Sequence, residues 1–208
     1  MGKAWLKIPL SDYEGHMSSD TVRQLEPLAE LFGRALEVCK PKSVAILGVA
    51  GGNGLERIDY NVTRIVGIDI NPEYLKTVRE RHGTLPGLEL YCEDLAAQCP
   101  GVGAVELVHA ALIFEHTGLL RCLGNALSLV LPRGKFSVVL QLPSVAEKDV
   151  TPTGFATMQS LGTGFALIEV AEFRRAMKDA QFDLIHEERR ELPGGKALWM
   201  GIFSRSGP

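Results

Sequence analysis

Short apolar runs and amphipathic stretches alternate along most of this chain. The runs at 44–48, 64–69, 88–92, 105–110 and 135–142 are rich in Val, Ile and Leu, the pattern of strands covered on both faces. Residues 72–82 and 118–131 carry helical spacing, and Asn71-Pro72 starts the first of these with Pro in its first turn. A further helix is expected from residue 53, where Leu55-Glu-Arg-Ile58 follows the first strand. Upstream, Val22, Leu25, Leu28, Leu31, Phe32 and Leu36 place a helix over 18–38, with Ser19 or Asp20 as cap and a kink or restart at Pro27. Residues 1–17 read as irregular. Pro193-Gly-Gly195 reads as a tight turn between two strands, the last of them near Leu198–Phe203. The order predicts an α/β fold. Its sheet is doubly wound, mostly parallel and seven-stranded with an antiparallel last strand, in a single domain spanning 1–208.

The segment Val44-Ala-Ile-Leu-Gly-Val-Ala-Gly-Gly-Asn-Gly54 runs from an apolar strand straight into a glycine-rich turn. Glycines there admit ligand atoms that a Cβ would block, and a helix start would offer unpaired N–H groups. Asp69 ends the second strand, where a carboxylate can accept both hydroxyls of a ribose. The dinucleotide spacing G-x-G-x-x-G is poorly met, since Gly48, Ala50 and Asn53 occupy its positions. The order Gly48-x-Ala50-x-Gly52-x-Gly54 resembles motif I of the class I S-adenosylmethionine (SAM) methyltransferases, of the bacterial small-molecule kind (methyltransferase type 11/12-like). Gly48 stands where that motif usually has an acid, and Ala50 where it usually has its first glycine. Leu88-Glu-Leu-Tyr-Cys-Glu-Asp94, the segment Val105–His116, the fifth strand and the stretch Phe173–Phe203 resemble the family's later motifs. The likeness spans roughly residues 40–205.

The resemblance implies a Rossmann-like methyltransferase fold and SAM as cofactor, with S-adenosylhomocysteine (SAH) as its product. Backbone at Gly48, Val49, Ala50, Gly52, Asn53 and Gly54 would line the methionine end. Asp69 would take the ribose, Ile70 would pack on adenine, and Asp94 with Leu95 would address the adenine edge beside Ala110. Two other readings stay open: a SAM-binding sensor or partner without transferase activity, and an NAD-dependent oxidoreductase.

Composition narrows the setting. The chain has 208 residues, 46% of them hydrophobic, and a net charge of −3 with no basic stretch. That is enough to bury a core and does not form a nucleic-acid footprint. The four cysteines, Cys39, Cys92, Cys99 and Cys122, lack C-x-x-C or zinc spacing, so no metal site is expected. Cys92 and Cys122 fall in apolar elements and read as buried free thiols, as a reducing cytoplasm permits. No export signal or apolar run of membrane-spanning length is present. The expected partner is a small-molecule methyl acceptor, without nucleic acid or membrane; a homodimer is compatible with the sequence. No Asn-Pro-Pro-Tyr motif, set of acids for Mg²⁺ or vicinal cysteine pair points to other acceptor classes.

Two segments are candidate covers for the acceptor. Residues 1–40 form an N-terminal extension in which Tyr13, His16 and Met17 precede the first helix. Residues 143–168 form a long connection after the fifth strand that mixes Gly154, Gly162 and Gly164 with Phe155, Met158 and Phe165. With Phe114, these side chains predict a mainly apolar pocket. His109, read as ending the fourth strand, and His116, seven residues on, are the candidate general bases, His116 the preferred one.

Overall fold

A computed structural model describes residues 2–144, 149–161 and 164–206. Seven strands form one sheet in the order β3-β2-β1-β4-β5-β7-β6. They are β1 (Ser43–Leu47), β2 (Arg64–Asp69), β3 (Leu88–Cys92), β4 (Val105–Ala111), β5 (Val130–Leu142), β6 (Phe182–Glu191) and β7 (Ala197–Arg205). The pairs from β3 to β5 are parallel, and β7 runs antiparallel to both β5 and β6. The antiparallel β7 comes from the turn at Pro193–Gly195, where Gly194 and Gly195 have φ of 69° and 74° and Leu192 N–H donates to Lys196 O at 2.8 Å.

In β1, β2, β4 and β5, period-2 alternation sends side chains into two cores. Ala45, Leu47, Val66, Ile68, Val108, Val138 and Leu140 point to one face, under α5 (Leu119–Ser128) and the helix Val170–Asp179. Val44, Ile46, Ile65, Leu107 and Val139 point to the other, under α2 (Leu25–Cys39) and α3 (Pro72–His82). Burial on both faces is why these strands read as continuous apolar runs.

Several sequence expectations are corrected. No helix follows the glycine turn: Leu55–Arg57 makes one 3-10 turn, and Asp59-Tyr60-Asn61 then returns the chain to β2. Packed against that turn and against β4 and β5, α2 covers the face instead. Residues 1–17 are not irregular; Gly2–Lys7 forms a 3-10 helix and Leu10–Ser18 forms α1. The helix expected over 18–38 begins only at Leu25, so Pro27 falls in its first turn, where it lacks no helical donor and causes no kink, and neither Ser19 nor Asp20 caps it. The helix expected over 118–131 is α5, which starts after Gly118 and ends already at Ser128, and a short unexpected helix, α4 (Phe114–Thr117), precedes it. From Val130 onward the chain is already β5, with Arg133 left-handed (φ 62°) and a register shift opposite Val105 and Leu107. Cys92 is exposed on the outer strand β3, while Cys122 is buried under the sheet.

Candidate functional site

The carboxyl ends of β1 to β5 open into one cavity, closed from above by the N-terminal segment and by part of the connection after β5. The space between its walls, counted out into open solvent at its mouth, is about 1130 Å³. Ligands of open α/β sheets bind at this edge.

One wall is the turn after β1. Gly48 and Val49 N–H both donate to Ile68 O, at 2.8 and 3.1 Å, which bends the chain across the end of β2. Gly48 has φ of 70°, and a Cβ there would meet Ile113 Cδ1 at 2.4 Å. Ala50 is also left-handed (φ 46°), held there by its N–H donating to Asp69 Oδ2 at 2.9 Å. The other Asp69 oxygen accepts from Asn71 N–H at 2.9 Å. Burial holds the Asp69 carboxyl above its usual range, and the backbone N–H groups of Asn71, Ala50 and Ile70 act against that rise. The two carboxylate oxygens together have about four acceptor positions, so these three backbone N–H groups leave one over. Gly48, Ala50, Asp69, Ile70, Asp94 and Leu95 all line the cavity.

Other residues singled out from the sequence do not line it. Val49 is buried, and the Asn53 side chain donates to Leu25 O at 2.8 Å. Gly54 (φ 92°) lies against Phe32 and Ala29 of α2, and Gly52 against His82, so these glycines serve the packing of the turn. Ala110 is buried in the sheet, and its neighbour Ala111 lines the cavity. His109 does not end β4. It sits inside the strand and points toward α2, with its ring 4.8 Å from that of Phe32 and Nδ1 3.1 Å from Ser137 Oγ. Burial lowers its pKa to about 3, and it faces no part of the cavity. Phe114 is fully buried between Phe136 and Phe173 and does not form a cavity wall.

The roof is tied down at several points. Asn71, which caps α3 through Glu73 N–H, also donates to Trp5 O at 2.9 Å. Tyr74 Oη donates to Ile8 O at 3.0 Å. Arg81 pairs with Glu14, Nη2 to Oε2 at 3.0 Å, above the Gly51 carbonyl. On the other side, Thr157 Oγ1 donates to Asp12 Oδ2 at 2.6 Å, and His16 Nδ1 lies 2.9 Å from Thr153 Oγ1. Phe155 packs so closely on α1 that a Cβ at Gly15 would meet its Cζ at 2.3 Å, which places this ring in the roof and not on the cavity wall. Residues 145–148 and 162–163 of the expected cap, Gly162 among them, lie outside the described residues. Of the rest, Met158, Leu161 and Phe165 reach the cavity, as do Tyr13, His16 and Met17 from the N-terminal side.

His116 lines the cavity between two aromatic edges, Trp5 at 4.9 Å and Phe165 at 5.1 Å between ring centres. Burial lowers its pKa to about 4, so the ring is neutral near pH 7. Burial, then the charge of Asp69, raises the Tyr13 pKa, and the phenol stays protonated.

Trp5, Gln24, Gln141 and Lys196 also line the cavity and escaped sequence reasoning. Gln24 Nε2 donates to Gln141 Oε1 at 3.3 Å, and Gln141 Nε2 to Asp149 O at 2.7 Å. Lys196 Nζ donates to Asp149 O at 2.9 Å and Thr151 Oγ1 at 2.8 Å. A polar residue ending an apolar strand was the available signal for Gln141. Lys196 offered none, standing in a hairpin after two glycines. The cavity is thus not mainly apolar at its β5–β7 end. Among the described residues no cluster of His, Cys, Asp or Glu is placed to hold a metal, and no helix is long and apolar enough to cross a membrane.

No protein-family model matches the chain, and no curated protein does. Solved structures do match. Magnesium protoporphyrin IX methyltransferase (ChlM) from Synechocystis PCC 6803 with bound SAH superposes at a TM-score of 0.73, with 11% identity over 99% of this chain and 98% of that one. The N-methyltransferase NodS from Bradyrhizobium japonicum WM9 in complex with SAH gives 0.67 and 13%, over 94% and 96%. The [4+2]-cyclase SpnF gives 0.68 and 10%, over 91% and 85%. At these identities the likeness is one of fold: the chain has the seven-stranded, Rossmann-like architecture of these proteins.

Proposed function

We propose that this chain transfers a methyl group from SAM to a small-molecule acceptor. One observation carries the reading: a buried carboxylate, Asp69, with acceptor capacity left over, faces a cavity beside a left-handed Gly48–Ala50 turn at the carboxyl edge of the sheet. This donor set suits a nucleoside with vicinal hydroxyls. SAM, when bound, supplies a methyl group on a sulfonium, already activated for in-line displacement. Asp69 accepts from the ribose hydroxyls, and Ile70 packs on adenine. Asp94 accepts from the adenine amino group, and Leu95 N–H donates to the ring. Gly48 and Ala50 line the methionine end. Trp5, Tyr13 and Met17 exclude water from above, which leaves alignment of the reacting atoms as the protein's main contribution.

Within a single domain over 1–208, residues 1–40 act as the lid and 143–168 as the cap over the acceptor. His116 accepts the proton of a hydroxyl acceptor on a ring nitrogen. Its depressed pKa keeps the ring unprotonated but makes it a weak base, which suits an acceptor that is itself acidic or already nucleophilic. The four free thiols support a cytoplasmic setting. Support for the cofactor also comes from ChlM and NodS, which hold SAH in the same fold. Gly48, in place of an acid at the end of β1, favours one second reading, a SAM-binding protein without transferase activity.

Incubation with methyl-labelled SAM and a pool of small metabolites tests the proposal. Labelled product is expected from the wild type, with slower formation by His116→Ala and Tyr13→Phe. No product from any pool would support the second reading. Wild-type rates in both variants would remove His116 and Tyr13 from the acceptor site. The pH profile adds a sign check: a base whose pKa is lowered to about 4 loses function only as pH falls toward that value, not near 6.5.

A further inference from the structure

Two buried amides form a chain of fixed direction at the β5 end of the cavity. Asp149 O is a backbone carbonyl and can only accept, so the Gln141 atom 2.7 Å from it is the amide nitrogen. Gln141 Oε1 then faces Gln24, which donates to it through Nε2 at 3.3 Å. The Gln24 carbonyl oxygen is thereby turned out of the chain. It accepts from no group among the described residues, yet it is not sealed from solvent. Gln24 is only 5% exposed and lines the cavity, so Oε1 opens there. The backbone beneath it is pinned: Gln24 N–H donates to Met17 O at 2.9 Å, and Gln24 O accepts from Leu28 N–H at 3.0 Å. Gln141 is held as firmly, its N–H on Glu115 Oε1 at 2.9 Å.

Both amide nitrogens and Gln141 Oε1 already have a partner. Gln24 Oε1 has none, so it is the atom of this chain that loses most when a ligand displaces water from it. Trp5, Met17, His116 and Phe165 line the same cavity with apolar and flat aromatic surface. A ligand that covers the carbonyl without offering a donor leaves it buried and unpaired, and one with a donor completes the chain.

We propose that the methyl acceptor is a flat, largely apolar small molecule anchored by a neutral N–H or O–H that donates to Gln24 Oε1. The inference rests on the methyltransferase reading above. The bond is an anchor only; Gln24 takes neither proton nor methyl group. The rival donor is the methionine ammonium of the cofactor. Its expected place beside Gly48 and Ala50, after β1, lies two strand steps from β5, about 10 Å.

The test uses the whole chain saturated with SAH and two matched pairs of probes, indole against benzothiophene and 4-methylphenol against 4-fluorotoluene. Each pair keeps its shape and loses the donor. Calorimetry and thermal denaturation are the readouts. In at least one pair the donor compound binds about ten-fold more tightly than its analogue, the usual effect of leaving a buried acceptor unpaired. Gln24→Met, close in shape but without the carbonyl, removes the preference. Gln141→Met removes the bond that orients Gln24 and lets its amide turn, so the preference falls part of the way. Both variants bind SAH as the wild type does. Four results overturn the inference: no donor compound binds; the donor-free analogues bind as well; either variant keeps the full preference; or Gln24→Met weakens SAH and leaves the probes alone, which assigns Gln24 to the cofactor. If the wild type does not bind SAH at all, the methyltransferase reading itself fails and this inference with it.

Discussion

Glu115 shows how one side chain can set a pH dependence. It is 1% exposed beneath the end of β5, where Oε1 accepts from Gln141 N–H at 2.9 Å and Oε2 has no hydrogen-bond partner among the described residues. Burial raises its pKa from 4.5 to about 7, against the smaller opposing effect of the Gln141 N–H. An acid with a raised folded pKa takes up more protons when folded. Its contribution is therefore most favourable below about pH 4.5 and is lost as pH rises through about 7, a change of about 3 kcal/mol at most. His109 and His116 have the opposite sign. Their lowered pKa values give stability that is present above about 6.5 and is lost as pH falls toward about 3 and 4. Glu115→Gln keeps the acceptor for Gln141 and removes the buried charge. Thermal denaturation should find it more stable than the wild type at pH 8 and close to it at pH 5. A variant less stable at both would show that the ionised carboxylate is compensated in the fold.

At the scale of elements, the N-terminal segment is the part that moves if ligand enters from above. It is held by hydrogen bonds with Asn71, Tyr74, Thr157 and Thr153, the half-exposed Glu14–Arg81 pair, the contact of Gly15 with Phe155 and the burial of Ile8 and Met17. An exposed ion pair contributes at most about 1 kcal/mol, so local opening is far cheaper than global unfolding. Trp5 rides on this segment, and the other tryptophan, Trp199, sits in β7 and donates to Glu187 Oε2 at 2.8 Å. In Trp199→Phe, SAH should therefore change Trp5 emission in a saturable titration. An unchanged spectrum under conditions where calorimetry shows binding would mean that the segment does not close over the cofactor.

The same elements show what the sequence made legible. Strands β1 and β2 were readable because burial on both sheet faces leaves uninterrupted apolar runs, and α3 because Asn71-Pro72 is a strong helix start. The helix expected from residue 53 failed because four residues of suitable spacing are followed at once by turn-forming Asp59 and Asn61, and α2 fills its place from a distant part of the chain. Tertiary packing of that kind leaves no local trace. For the same reason α1 was missed. With Pro9 before it and Gly15 inside it, its buried side comes from cavity and cap contacts and not from a regular apolar stripe. In the site, the strand-end residues Asp69, Ile70, Asp94 and Leu95 could be placed by topology. His109 was misplaced because β4 runs two residues beyond it, to Ala111, and Lys196 carried no signal because its neighbours across the cavity come from residues 24, 141 and 151.

For the molecule as a whole, fold alone does not choose the reaction, since a [4+2]-cyclase shares it with methyltransferases. Ligand preference separates the readings. A ligand at about a hundred times its dissociation constant stabilises the folded state by about 2.7 kcal/mol, which raises the melting temperature of a chain this size by roughly 5–10 °C. SAM and SAH should do so and NADH should not; stabilisation by NADH alone would favour an oxidoreductase.

The most direct measurement of the central claim is calorimetric titration of SAH into the wild type and Asp69→Ala, with circular dichroism to confirm that the variant keeps its fold after losing the Ala50 and Asn71 bonds. Removing a carboxylate that accepts from ribose hydroxyls should weaken binding about ten- to hundred-fold. Equal affinities in the two proteins, or no binding by the wild type, would contradict the cofactor site at the end of β2.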